Sequence, residues 1–279
     1  MVGGLKELKK ELFNKTKLVA MLAPSFIVNF DYPEIITQLK DLGFDKTVEL
    51  TFGAKIVNIE YHKLLQKNKG FLISSVCPGS VYTIIEKKPR YLANMIRVYS
   101  PMIVTAKICR KLYPKHKIVF ISPCYFKSRE ATTTDDVDIV IGCNDLQRLF
   151  DVKHIKSRKV KGKISFDKFY NDYTKIYPLA GGLSKTAHVK GALNPGETKV
   201  IDGIVDILKF LDKPDKKVKF LDCNYCVGGC IGGPCLRRDL TLEEKKQRVL
   251  AYVKQALKTK IPKKDKGILE KAKGIKVKY

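Results

Sequence analysis

Four cysteines, Cys223, Cys226, Cys230 and Cys235, lie within LDCNYCVGGCIGGPC, residues 221–235, together with four glycines. Their spacing, C-x2-C-x3-C-x4-C, could hold zinc or a self-contained iron–sulfur cluster, since thiolates at short intervals converge on one point. Glycine adds two things: the backbone can approach a sulfur closely, and its N–H groups can donate to it. Two more cysteines follow apolar runs, Cys77 after FLISSV and Cys124 after KIVFIS and Pro123. A local set leaves these two unused. A set drawn from three strand ends uses them, because open α/β sheets gather ligands beyond the carboxyl ends of their strands. Spacing alone leaves both sets open. Cys109, in VTAKICRKLY, and Cys143, after VDIVIG, read as buried small hydrophobes.

The elements that must position these thiols alternate along the chain. A helix is expected at 4–14, and LVAMLAPSFIV (18–28) reads as a strand ending in a turn at Pro24. YPEIITQLKDLGF is helical and closes at Gly43. TVELTF (47–52) reads as a strand and IVNIEYHKLLQKN (56–68) as a helix closed by Gly70. FLISSV (71–76) is a strand; a helical stretch and SPMIVTAKICRKLY follow, then the strands KIVFIS (117–122) and VDIVIG (137–142). VKFLD runs into the cysteine-rich stretch, and LTLEEKKQRVLAYVKQAL (240–257) is a last amphipathic helix. Strands alternating with helices indicate α/β architecture with mostly parallel sheet. The lysine-rich end after Pro262 is expected to fray.

The start, MVGGLKELKKELFNKTK, is charged and lacks the apolar centre of a signal peptide. No apolar run approaches the roughly 18 residues that a membrane span needs. A cytoplasmic location is therefore expected, and there clustered cysteines serve as metal ligands or catalysts more often than as disulfides. With 54 Lys and Arg against 28 Asp and Glu, the net charge is +26, concentrated locally in VKHIKSRKVKGK (152–163) and in the tail. Such a surface suits a polyanion or an acidic partner, or reflects a lysine-rich proteome. Nucleic acid is disfavoured, because no RNP-like aromatic motif or zinc-finger spacing accompanies the charge. AGGLSKT lacks the Gly-Lys-Ser/Thr ending of a phosphate loop.

SSVCPGS (74–80), SPCYFKSRE (122–130) and CVGGCIGGP (226–234) resemble, in order, the three signature motifs of the catalytic domain of iron-only (FeFe) hydrogenases. Ala23–Ser25, Ser100–Pro101 and AGGLSKTA (180–187) are weaker echoes, and the resemblance runs from about residue 17 to 257. It implies an N-terminal helix (1–16), a hydrogenase domain (17–257) and a basic C-terminal tail (258–279). The domain would form two lobes of mostly parallel sheet flanked by helices, with the cluster in the cleft between them. The family's H-cluster is a 4Fe-4S cube joined through one cysteine sulfur to a diiron unit carrying CO, cyanide and an azadithiolate bridge. The resemblance places the cube on Cys77, Cys124, Cys226 and Cys230, with Cys230 bridging to the diiron unit. It places Lys127 and Ser25 against the two cyanides, beside Pro123, and gives Glu130 the fixing of the local helix. The implied reaction is reversible reduction of protons to H2, with electrons from an acidic ferredoxin or a separate subunit and with maturation proteins building the diiron unit.

Several positions depart from that pattern. Val76 stands where the family has a proton-relaying cysteine, and a valine carries no proton. Further relay positions hold Ile96, Tyr61 and Leu64; two methionines are replaced by Ser122 and Asn224, and a tryptophan by Ser80. Glu60, His62 and Ser122 are the substitute candidates. No cysteine precedes Cys77, so a minimal form without ferredoxin-like domains is expected. Cys223 and Cys235 are read as thiols packed beside the cube or, with less support, as ligands of a second cluster. The alternative within the same fold is a Nar/Narf-like protein that holds a 4Fe-4S cluster without the diiron unit.

Overall fold

The computed structural model describes residues 2–67, 70–167, 173–258 and 272–279. Its elements run α1 (Val2–Phe13), β1 (Leu18–Leu22), α2 (Glu34–Leu42), β2 (Lys46–Glu49), α3 (Thr51–Lys67), β3 (Leu72–Ile73), α4 (Pro78–Lys87) and α5 (Pro101–Leu112). They continue β4 (Lys117–Ser122), α6 (Phe126–Ala131), β5 (Ile139–Gly142), α7 (Cys143–Val152), α8 (Gly182–Thr186), β6 (Thr198–Asp202), α9 (Ile204–Asp212), β7 (Phe220–Asn224) and α10 (Leu242–Leu257). The strands form two sheets, one in the order β2-β1-β4-β5 and the other β3-β7-β6, and every described pairing is parallel.

The larger sheet is covered on both faces, which is why β1, β4 and β5 read as continuous apolar runs. Leu18, Ala20 and Leu22 of β1 join Val119 and Ile121 of β4 and Ile139 and Ile141 of β5 in one core, with α2, α7 and α10. Val19 and Met21, with Ile118, Phe120 and Val140, point the other way, against α3 and α5. The period-2 alternation thus divides each strand between two cores. A third, smaller core lies under the second sheet, where Ile73, Leu221 and Cys223 meet Ile84 of α4 and Ile207 and Leu211 of α9.

Four expectations need correction. The strand expected at 47–52 stops at Glu49, and Thr51 already opens α3, five residues before the expected helix start. FLISSV yields only Leu72–Ile73, because Ser74 and Ser75 turn their hydroxyls to Cys223 N and to the Val98 carbonyl. β6 and α9 were not anticipated; β6 is an edge strand whose residues are half-buried or exposed, so its apolar pattern is weak. Of the tail expected to fray, 259–271 lie outside the described residues, but 272–279 dock. Tyr99 N donates to the Val277 carbonyl, Ile275 and Val277 pack on the core, and Lys278 pairs with Glu60. Among the described residues no helix is long and apolar enough to cross a membrane.

Candidate metal centre

Each strand that ends near the junction of the two sheets delivers a residue singled out in the sequence. Past β1 the chain makes a short 3-10 turn, Pro24–Val28, holding Ser25; past β4 come Pro123 and Cys124. β3 leads to Cys77 at the start of α4, and β7 leads to Cys226 and Cys230. One thiol thus comes from the larger sheet and three from the smaller.

The loop carrying Cys226 and Cys230 shows why glycine is needed there. Gly228 and Gly229 adopt φ of +81° and +74°, a region costly for other residues. Gly233 brings the loop against the larger sheet: a Cβ there would stand 2.4 Å from the Pro123 carbonyl and 2.9 Å from that of Cys230. Cys235 N donates to the Pro123 carbonyl at 3.1 Å, and Cys230 N to the Pro178 carbonyl at 2.8 Å. On the other side Tyr225 N donates to Cys77 Sγ at 3.4 Å. Burial raises the Cys124 thiol, and the backbone N–H groups of Phe126 and Lys127, at the start of α6, oppose that rise.

The four thiols of Cys77, Cys124, Cys226 and Cys230 are partly buried and close enough for every pair to interact electrostatically. Burial pushes the Cys226 thiol up to about 12, with Cys124 and Cys77 adding to the rise. Burial likewise raises Cys124 and Cys230, and in both the Lys127 ammonium works against it. Without a metal such thiols stay protonated at neutral pH; a bound metal draws the protons off. Among the described residues no three His, Cys, Asp or Glu side chains converge on a point suited to a single ion. A cube spreads its irons over four corners, so its thiolates need not converge in that way.

Beside Cys230 lies a cavity of about 70 Å³. Ala23, Leu50, Ala54, Val76, Met102 and Phe120 give it an apolar lining, and Ser25, Lys127, Tyr177 and Cys230 contribute polar atoms. Ser25 is fully buried and its hydroxyl has no hydrogen-bond partner. Lys127 Nζ is held by Glu130 Oε2 at 2.5 Å, Ser100 Oγ at 3.1 Å and the Val76 carbonyl at 3.4 Å. Glu130 in turn faces a separate groove of about 380 Å³, lined also by Ser75, Ser100 and Tyr279.

The other expected residues fall elsewhere. Tyr61, Leu64 and Ile96 pack in the core shared by α3 and α5, and the Tyr61 hydroxyl bonds Ser75 Oγ at 2.9 Å. Glu60 is paired with Lys278, and His62 Nδ1 lies 2.9 Å from the Ala187 carbonyl. Ser122 Oγ is engaged with the Cys124 backbone. None of these lines the cavity. Cys223 is buried beside Ser74, and Cys235 beside Pro123. Cys109 and Cys143 are core residues, burial pushing the Cys109 thiol up to about 12. Sequence reasoning missed Tyr177, Met102 and Phe120 as cavity residues; nothing in their local spacing marks them.

The profile of the family described as iron only hydrogenase large subunit, C-terminal domain, matches residues 16–234, and the chain belongs to that family. It is similar to iron hydrogenase 1 of Clostridium pasteurianum, 24% identical over 256 residues, covering 72% of this chain and 44% of the relative. It is also 32% identical over 97 residues to the cytosolic Fe-S cluster assembly factor NAR1 of Kluyveromyces lactis, covering 32% of this chain and 21% of that protein. The chain therefore spans less than half the length of these curated relatives. In fold it is similar to a variant of the FeFe-hydrogenase HydA1 from Chlamydomonas reinhardtii, with a TM-score of 0.71 at 15% identity, covering 94% of this chain and 93% of that one. An apo variant of the same hydrogenase gives a TM-score of 0.68 at 16% identity, with 91% and 88% covered.

Proposed function

We propose that this chain is a hydrogenase catalytic domain that interconverts protons and H2. Cys77, Cys124, Cys226 and Cys230 would hold a 4Fe-4S cube, and the cavity beside Cys230 would seat a diiron unit with CO, cyanide and azadithiolate. The observation that carries this reading is the Ser25 hydroxyl, buried without a partner beside an apolar cavity adjoining Cys230. Buried polar groups are nearly always hydrogen-bonded, so an orphaned one beside a candidate ligand points to an absent acceptor. When bound, the diiron unit supplies the place where two protons and two electrons become H2.

The chain's own residues do the rest. Glu130 and Ser100 fix the Lys127 ammonium at the cavity wall, where it balances anionic ligands in a dry setting. Ala23, Leu50, Val76 and Phe120 give the wall an apolar face. Val76 cannot pass a proton, so the polar contact leading away from the cavity runs from Lys127 Nζ to Glu130 and its groove. An acidic ferredoxin, or a separate subunit, would be steered to the cube by the +26 charge.

Two observations favour a second reading, a cluster-holding protein without the diiron unit. One is the 32% identity to the NAR1 factor. The other is the cavity's 70 Å³, room for roughly five to seven waters at about 10–15 Å³ each. The test is H2 production from a reduced dye after the purified protein is supplied with a synthetic diiron unit. The hydrogenase reading predicts H2 from the loaded protein and none from Cys230→Ala; a loaded protein with an intact cube and no H2 supports the second.

A further inference from the structure

Five buried hydroxyls among the described residues have no hydrogen-bond partner, those of Ser25, Ser80, Tyr113, Ser128 and Tyr177. Only Ser25 and Tyr177 line the cavity beside Cys230. Tyr177 has no place in the site read from the motifs, yet its backbone is locked to that site. The carbonyl of the next residue, Pro178, accepts Cys230 N at 2.8 Å, and Tyr177 N donates to the Thr174 carbonyl at 2.9 Å. Gly182 packs beneath it so tightly that a Cβ there would stand 2.8 Å from Tyr177 Cα. The ring is only partly buried, but its hydroxyl is shut off from solvent. A phenol keeps its proton at neutral pH and so can act as a donor. The Lys127 ammonium is already shared with Glu130 and Ser100. Of the polar groups on the wall, the two hydroxyls are the ones left wanting an acceptor.

We propose that the Tyr177 hydroxyl donates a hydrogen bond to the occupant of this cavity, and that the accepting group is a diatomic ligand of the carbon monoxide or cyanide class bound to a metal. The inference rests on the hydrogenase reading and adds a second hydroxyl donor to that of Ser25 and to the Lys127 ammonium, on a different segment of chain. An apolar pocket with two hydroxyl donors distinguishes a ligand with acceptor atoms at defined places from one that merely fits. It also explains why a hydroxyl that has no bond in the protein is tolerated: its partner arrives with the metal.

The test uses Tyr177→Phe, which removes one oxygen and nothing else, with Ser25→Ala beside it. Infrared spectra are taken of all three proteins loaded with the diiron unit. Tyr177→Phe is expected to shift one CO or cyanide band and leave the others in place, while Ser25→Ala shifts a different band. Melting temperatures add a readout independent of turnover. In protein carrying the cube alone Tyr177→Phe should melt at or above the parent, since it loses only an unbonded hydroxyl; in loaded protein it should melt below the parent. Superimposable spectra with an unchanged order of melting overturn the inference while leaving the hydrogenase reading intact. A parent protein without CO or cyanide bands overturns both.

Discussion

The larger sheet buries β1 and β4 almost completely, while the smaller rests on a two-residue strand, β3, and a half-exposed edge, β6. Yet the smaller sheet carries three of the four clustered thiols, and the larger only Cys124. The difference follows from what each must do. A parallel sheet covered on both faces gains about 1.5–3 kcal/mol for each large apolar side chain it buries, and it stays where it is put. The loop that carries Cys226 and Cys230 needs backbone freedom instead, and Gly228 and Gly229 provide it at positive φ. Gly233, close against Pro123, is where the rigid part and the pliable part touch.

The sharpest break in this comparison is at the thiols. Replacing Cys77, Cys124, Cys226 or Cys230 by Ala should abolish the four-iron cluster, measured as iron and sulfide per chain, because three thiolates leave one iron open. The same change at Cys109 or Cys143, both in the cores, should leave iron content intact; loss of iron from Cys109→Ala would contradict the assignment.

Next in size is a pair of substitutions that should separate the two sheets. Ile141→Ala, in the larger sheet, should cost about 2–5 kcal/mol of stability and leave iron per folded chain unchanged. Gly229→Ala should cost only about 1–3 kcal/mol for the strained backbone but reduce iron content, since its Cβ would meet the Pro178 carbonyl at 2.7 Å. Denaturant melts with iron analysis on both variants check this. Equal iron loss from both would mean the sheets are not separable in function.

A pH series sharpens the electrostatic side. The thiols of Cys124, Cys226 and Cys230 are raised by burial, Cys226 to about 12, so the folded apoprotein favours their protonated forms. That contribution to apoprotein stability is complete below the unfolded thiol value near 8.5 and is lost as pH climbs toward the folded values. The cube needs thiolates, so its assembly releases protons and strengthens with pH, by up to about tenfold per unit for each thiol that must ionise. Reconstitution at pH 9 should therefore be more complete than at pH 7, while apoprotein melting falls over the same range. Reconstitution that weakens with pH would contradict the burial of these thiols.

The order in which features could be read from the sequence follows the same contrast. Runs such as LVAML and KIVFIS announce doubly covered strands, because every residue in them is apolar or small. FLISSV looked similar but ends early, since serines in an apolar run can turn to hydrogen bonds that the run does not foretell. The thiols could be singled out as candidates because Cys77 and Cys124 follow apolar runs and the other two sit among glycines. Tyr177 could not: its meaning depends on a missing partner, and a missing partner is a property of three dimensions. The docked end, 272–279, was read as tail because lysines mask the Ile275 and Val277 that pack.

The smallest expected effect is at residue 76. Val76 lines the cavity and belongs to the core packed on α3 and α5, so Val76→Cys places a thiol there through a small change of shape. It should raise turnover of the loaded protein several-fold or shift its pH dependence by supplying a proton donor and acceptor. Unchanged kinetics would mean that the path through Lys127 and Glu130 already suffices.

The central claim is that the cavity beside Cys230 seats a diiron unit, and it is tested most directly by infrared spectroscopy of the protein carrying an intact cube after exposure to that unit. Bands from iron-bound CO and cyanide that survive desalting, and that are absent from Cys230→Ala, are the predicted result. A spectrum without them, from protein whose cube is intact, would contradict it.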